Sequence, residues 1–408
     1  MKPAVPGTTV AIVGSGVVGM VTALLLADAG VSVVLIDSVT QSQTRNEPFD
    51  LRTYALTPAV RRVLAHCGVW DGLDLSRIST FEAIEIWDGL GTGRVRFDTR
   101  PPLAYLVEAT NLIAACQAAL VRRARISDLA GQVSAIMSDE RHCLLTLVDG
   151  RALQASVALA CDGGDSTVRR LCGIESEELD FRQHAIVANV ETAAPHGAVA
   201  RQCFLPSGPL ALLPLPTPCA AAVVWTTTPD EATWALQCSD DAFCARLSTA
   251  LKGRFGPILA TSARARFPLR RHHARQYAQG RIALVGDAAH VIHPLAGQGL
   301  NLGLLDAAMV AEVLTARGLG SVRHPQSALQ RYARARRGEN LLMLTITEQI
   351  NKLFAHTHPA CVGLRSLGLD LTQRFQPLRQ RLAAHATGER GVLPRIARCF
   401  VSATEEIS

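Results

Sequence analysis

The sequence predicts a mixed α/β (α+β) fold, in which a nucleotide-binding domain on a parallel sheet carries an inserted, mainly antiparallel β-sheet domain and ends in helices. Three observations predict it. A short apolar strand, a glycine-rich turn, an apolar helix and a second apolar strand follow one another between Thr9 and Ile36, as a parallel sheet covered on both faces requires. Pro-rich, strand-like sequence from about Phe181 to Leu269 differs in character from what flanks it. After Asn301 the patterning is helical almost to the end.

The elements follow in order. Thr9 to Val13 is apolar and β-branched, Val17 to Ala29 is helical up to the stop at Gly30, and Val31 to Ile36 forms the second strand. Phe81 to Phe97 adds strands to the inserted sheet. Val157 to Ala160 and Ile282 to Val285 are short buried strands, each followed closely by an acid beside a glycine, so both read as strand ends opening onto a ligand. Ala185 to Val190 is a strand of the insert, and Leu329 to Leu344 is the clearest late helix despite Gly338.

Composition bounds the function. The chain has 408 residues, 48% of them hydrophobic and 19% charged, so it is long enough for two or three domains and too apolar to be disordered. Arginine supplies nearly all of the +6 charge, since Lys2, Lys252 and Lys352 are the only lysines, and so mild an excess argues against a nucleic-acid partner. The eleven scattered cysteines lack a C-x-x-C pair or a zinc spacing, which predicts a reduced, cytoplasmic setting and no metal site. Met1 to Thr9 lacks the features of a secretory signal. Gln202 to Pro229 carries no charge, but Pro206, Pro209, Pro214, Pro216 and Pro218 exclude a membrane helix and leave strands and turns.

Chemistry concentrates in two motifs. In Gly14-Ser15-Gly16-Val17-Val18-Gly19, Gly14 permits a tight turn, Gly16 lets backbone approach a pyrophosphate, and Gly19 allows close helix–strand packing. Asp37, at the end of the next strand, is spaced to accept hydrogen bonds from an adenosine ribose, which completes a Rossmann-like pattern. That motif does not choose between NAD and FAD. The second cluster, Gly286-Asp287-Ala288-Ala289-His290 with Pro294-Leu295-Ala296-Gly297-Gln298-Gly299-Leu300-Asn301-Leu302-Gly303 and Asp306-Ala307, makes the choice. An acid in a run of small residues reaches a polyol hydroxyl, and a glycine turn opening a helix aims N–H groups and a positive dipole end at a ligand. A flavin offers both a ribityl chain and a ring edge that becomes negative on reduction.

Together with Asp162-Gly163, Ser166 and Arg169, these motifs resemble the FAD-dependent aromatic monooxygenases of the para-hydroxybenzoate hydroxylase superfamily. Asp50 to Leu56, Tyr105 to Glu108, Pro195-His196, Phe204 to Pro214 and Phe267-Pro268-Leu269 resemble its ubiquinone-biosynthesis hydroxylases. The resemblance spans roughly Val10 to Glu339. It implies a discontinuous FAD-binding domain (1–80, 98–180, 270–345), a substrate-binding β-sheet domain (81–97, 181–269) and a C-terminal helical region (346–408). It also implies that Gly14, Gly16 and Gly19 hold the pyrophosphate, Asp37 the ribose, Arg52 the diphosphate region and Asp287, beside Gly286, the ribityl chain. Asp162 and Gly163 fall near the pyrophosphate, while Pro294, Gly297, Gln298, Gly299, Leu300 and Asn301 line the isoalloxazine ring. Asp37 stands where glutamate is more usual, and Cys161 where alanine is.

Enzymes of this kind reduce the flavin with NAD(P)H, form a C4a-hydroperoxide with O2 and hydroxylate an electron-rich phenol, here a prenylated one; the protein positions the ring and excludes water. No acid–base residue is assigned. A hydroxylase of a soluble aromatic acid and a non-catalytic, FAD-retaining subunit are the alternatives. The W-x-W-x-I-P element of the flavin-dependent halogenases is absent. His290 and His293 read either as hydrogen-bonded structural residues or as cofactor contacts, and His196 as a turn residue or a catalytic one. The basic run Arg264 to Arg275 reads as a solvated strand or a lipid or partner contact. The apolar and basic tail from Asn351 to Leu382 either packs over the FAD domain or docks on a membrane surface or a biosynthetic complex. The oligomeric state, the ring position hydroxylated and the choice of NADH or NADPH stay open.

Overall fold

A computed structural model describes residues 9–37, 49–98, 102–254, 256–293 and 297–399. Pro294, Leu295 and Ala296 therefore lie outside the described residues. Five parallel strands stand side by side in the order Ile282–Leu284, Val157–Ala160, Thr9–Val13, Ser32–Asp37 and Ile126–Ala130, with Ala278–Gln279 antiparallel on one edge. Every residue of Thr9–Val13 is buried, which explains the unbroken apolar run. The helix Val17–Asp28, apolar on nearly all sides, packs between the helices Gly299–Thr315 and Ala109–Val121. Because Thr9–Val13 is flanked by Ser32–Asp37 on one side and Val157–Ala160 on the other, the strand order reverses there, and a crevice opens beyond the carboxyl ends.

The second sheet has nine strands. Its path runs His290–Val291, Ala265–Ala274, Ser176–Thr192, Ala220–Thr227, Gly208–Pro214, Val199–Leu205, Ala83–Asp88 and Arg94–Asp98, and Ile258–Thr261 also pairs with Ser176–Thr192. All its pairs are antiparallel except Val199–Leu205 with Ala83–Asp88. The boundaries read at 180/181 and 269/270 fall inside strands, since Ser176 to Asp180 pair with Arg270 to Ala274 before the register shifts between Asp180 and His184. A ladder rather than a linker thus joins the two sheets, and strand-like sequence on both sides of each boundary conceals the seam.

Three features depart from the sequence reading. The insert contains the helices Pro229–Gln237 and Asp240–Ala250, capped by the hydroxyls of Thr228 and Ser239, with acids in each first turn. Those caps are the signal that the strand-like reading passed over. A three-stranded antiparallel meander, Val133–Ser138, Cys143–Leu147 and Ala152–Ala155, precedes Val157–Ala160. Finally, the helix Pro359–Arg374 packs on the nine-stranded sheet instead of over the parallel-sheet domain. Asp370 and Gln373 accept from the backbone N–H groups of Arg94 and Arg96, covering the edge strand. Arg365 forms a bidentate pair with Asp88 and donates to the carbonyls of Leu353, Phe354 and His356, closing the end of the 30-residue helix Gln326–Ala355. Only the following segment returns to the nucleotide side, where Ala397 O accepts from Arg62 Nε at 2.8 Å.

Candidate cofactor and substrate site

The three motif glycines have separate duties. Gly14 has φ +103°, and a Cβ there would collide with the Cys161 carbonyl; a Cβ at Gly19 would collide with Gly14 O. Both are therefore required for packing. A Cβ at Gly16 would meet nothing within 4 Å, and Gly16 caps Val17–Asp28 without a side-chain hydrogen bond. Open space lies before unspent helical N–H groups, as an anion requires. Asp37 accepts from Ser15 N at 2.8 Å and also from the Ser15 hydroxyl, so it shapes this turn from the end of its own strand.

Val13, Ala160 and Leu284 end neighbouring strands. Beyond Ala160, Asp162 accepts from Ser166 Oγ at 2.6 Å and Val168 N at 3.1 Å, and Gly163 adopts φ +81° with open space around it. Arg169, buried, ties this loop to the next by donating to Gly164 O and Ala288 O. Beyond Leu284, the Val18 side chain sits between Gly286 and Gly303, where added Cβ atoms would approach its methyls to 3.1 and 2.9 Å. Helix, turn and helix interlock there because two glycines leave room for one valine.

Asp306 fixes the turn from beneath. Completely buried, it accepts from His290 Nε2 and Arg336 Nε, both at 2.6 Å, and from Asn340 Nδ2 and Gly286 N. Burial alone would raise its pKa; the charges of His290 and Arg336 and their hydrogen bonds more than offset this and hold it near 2. Asp287, by contrast, reaches solvent while protein surrounds it closely, as on the floor of a crevice. Burial raises its carboxyl, opposed by His290 and Arg52. Arg52 lies over the Tyr54 ring, 5.4 Å from its centroid. The backbone carbonyl of Asp287 accepts from His272 Nε2 at 2.7 Å.

Gly297 (φ +60°) and Gly299 open the helix Gly299–Thr315, and the N-cap, Gln298, makes no side-chain cap bond. Asn301 is spent on backbone: it accepts from Thr57 N and donates to Ala55 O and Gly297 O. Leu300 packs against the main core. Local contacts thus join Gly14 to the Cys161–Asp162 backbone, Asp37 to the Ser15 turn, Gly286 to Val18 and Gly303, and Gly297 to Ala55, with Gly19, Leu300 and Asn301 spent on packing and backbone. These features fit FAD: two helix N-termini lack side-chain caps, Gly16, Gly163 and Gly299 face open space, and the Asp287 side chain is exposed.

The FAD binding domain family matches residues 7–341. The chain belongs to that family. Relatives place it among the FAD-dependent aromatic monooxygenases of ubiquinone biosynthesis. A ubiquinone hydroxylase of Rhodospirillum rubrum is 34% identical over 383 residues, spanning 93% of this chain and 89% of that protein. The 3-demethoxyubiquinol 3-hydroxylase of Escherichia coli is 32% identical over 389 residues, spanning 93% and 98%. A p-nitrophenol 4-monooxygenase structure from Pseudomonas putida shares the fold, with a TM-score of 0.74, 21% identity and coverage of 94% of this chain and all of that one.

In this monooxygenase the surroundings of the Gly297 turn are apolar on one side. A Cβ at Gly297 would lie 3.7 Å from Ala55, and Ala55 packs with Leu213 in two hydrophobic clusters, one with Phe81 and Phe97, the other with Leu106 and Leu215. Leu213 and Leu215 belong to the uncharged Gln202–Pro229 stretch. His293, fully buried, touches Gln183 Oε1 at 3.3 Å and the Phe181 ring, and burial lowers its pKa to about 4. His196 is a turn lock: its Nδ1 accepts from Ala198 N while Nε2 donates to Leu215 O and Thr217 O. Arg264, Arg271 and Arg275 of the basic run are paired with Asp240, Glu348 and Glu175. Arg336, Asn340 and Tyr277 were not legible as site residues, because an arginine and an asparagine on a long polar helix carry no motif. Among the described residues, no cluster of His, Cys, Asp or Glu is arranged to hold a metal ion, and no helix is long and apolar enough to cross a membrane.

Proposed function

We propose that this chain uses FAD, NAD(P)H and O2 to hydroxylate the aromatic ring of a prenylated phenol on the route to ubiquinone. The observation that carries the reading is the pair of helix N-termini without side-chain caps behind Gly16 and Gln298, with the Gly297 turn beside Ala55, which packs with Leu106, Leu213 and Leu215. Bound FAD supplies the oxygen activation. Within the chain, the Gly14–Gly19 turn takes the pyrophosphate, Asp37 the ribose, and Asp287 with Gly286 the ribityl chain, while Arg52, Asp162 and Gly163 surround the diphosphate. Gly297, Gln298, Gly299, Leu300 and Asn301, following Pro294, form the flavin-ring turn. The apolar wall orients the phenol ring and excludes water. In this division residues 1–80, 98–180 and 270–345 serve the cofactor, 81–97 and 181–269 the substrate, and 346–408 make the C-terminal helical region. The enzyme works in the cytoplasm, in peripheral contact with the membrane that dissolves its substrate.

The test is product analysis. Purified protein supplied with a prenylphenol, NAD(P)H and O2 is expected to release a ring-hydroxylated product; peroxide alone would refute the substrate assignment. The apolar lining favours this substrate over a soluble aromatic acid.

A further inference from the structure

The C-terminal helices present an apolar face that is exposed among the described residues. Leu364, Leu367, Leu371, Phe375, Leu378 and Leu382 follow one another at spacings of three or four residues, which keeps them on one side of a helix. Each is between 39% and 71% exposed. The run survives the junction between Pro359–Arg374 and Gln376–Ala386, because Phe375 N donates to Leu371 O and Phe375 O accepts from Arg379 N. The opposite face is locked in place: Arg365 is buried against Asp88, Ser366 abuts Gly91 and Gly93, and Asp370 and Gln373 hold the edge strand. A contiguous exposed stripe of this kind marks an interaction site.

Charge selects the partner. Between His356 and Ala386 the sequence holds four arginines and a single acid. Arg365 is consumed by Asp88, and Asp370 by the edge strand, so Arg374 and Arg381 are left exposed beside the leucines. A second copy of this face would meet like charge. A bilayer bearing phosphate headgroups offers an apolar interior for the leucines and anions for the arginines.

We propose that the helix pair 359–386 is an interfacial docking surface for an anionic lipid bilayer. The docking stands on the surface alone; its use in delivering a prenylated substrate rests on the function proposed above. Behind the second helix, a cavity of about 240 Å³ is lined by Gln376, Arg379 and Ala383 on one side and Pro58 and Phe97 on the other. Phe97 packs in the same cluster as Ala55, beside Gly297.

The test is co-sedimentation of the FAD-loaded protein with phosphatidylcholine vesicles with and without phosphatidylglycerol. Binding is expected with phosphatidylglycerol, weakened about tenfold or more without it or in high salt. Leu367→Ser with Leu371→Ser, and separately Arg374→Glu with Arg381→Glu, are each expected to lose binding, while Leu144→Ser, an exposed leucine on the meander, keeps it. Retained flavin absorbance and melting temperature establish that the variants fold. Wild-type protein that stays in the supernatant with both vesicles, or leucine variants that bind as wild type does, would overturn the proposal. So would a dimer in solution that the leucine variants convert to monomer. No turnover is measured, so failure here leaves the enzymatic reading to its own test.

Discussion

Arg336 Nε donates to Asp306 Oδ1 at 2.6 Å, with both side chains buried, and through this contact the long C-terminal helix supports the turn that carries Asp287. Asp306 also holds Gly286 N and His290, so one carboxylate ties helix, turn and strand together. Arg336→Leu leaves that carboxylate without its guanidinium. A loss of about 3–5 kcal/mol in stability is expected from removing one partner of a buried pair. Urea denaturation with parallel flavin titration checks it, since FAD affinity should fall with the turn.

Acid sensitivity follows from two sets of groups. His272, His273 and His293 are lowered from 6.5 to about 4, mainly by burial and, for the first two, also by Arg169 and Arg337 respectively. The unfolded chain therefore binds more protons between those values, so stability declines as pH falls from 6.5 toward 4 and is flat with respect to these groups above 6.5. Asp306, held near 2 against an ordinary 3.8, adds a second loss as pH falls below about 4. Melting temperature measured from pH 8 to pH 3, at about one-unit intervals, should show the two declines in that order.

Gly14 and Gly16 should separate folding from binding. Gly14→Ala sets a Cβ against the Cys161 carbonyl and is expected to lower the melting temperature without any cofactor present. Gly16→Ala meets no protein atom and should cost at most about 1 kcal/mol as a poorer cap, while it weakens FAD binding. Apo-protein melting and FAD titration of both variants check the contrast.

Asp287→Ala removes the exposed carboxylate beside Gly286. FAD affinity is expected to drop about 10- to 100-fold, the worth of hydrogen bonds to a charged group, with little change in apo stability because the side chain already reaches solvent. Flavin retention through gel filtration is the measurement.

Arg365→Ala should release the C-terminal helices. It strands Asp88 and uncaps the carbonyls of Leu353, Phe354 and His356, a loss of about 3–5 kcal/mol. Limited proteolysis near His356 should accelerate while the flavin domain stays intact.

Much of the geometry of the glycine turns was legible in the sequence because backbone conformation dictates residue type locally. A turn that must pass under Cys161 accepts only glycine at position 14, and a strand buried on both faces has to read as Thr9–Val13 does. Asp287 announced itself by its place after an apolar strand and a glycine. The insert's two helices were signalled by Thr228 and Ser239 yet hidden by the prolines and apolar runs around them.

The sequence alone determined the nucleotide fold and the glycine turns, since each rests on neighbouring residues. Only the tertiary structure decided that Asp306 meets Arg336 and Asn340, that Arg365 clasps Asp88 across 277 positions, and that the tail covers an edge of the nine-stranded sheet and leaves its leucines outward. Those pairings join residues remote in the chain. Burial gives them their strength, and no local pattern records which distant partner a buried charge will find.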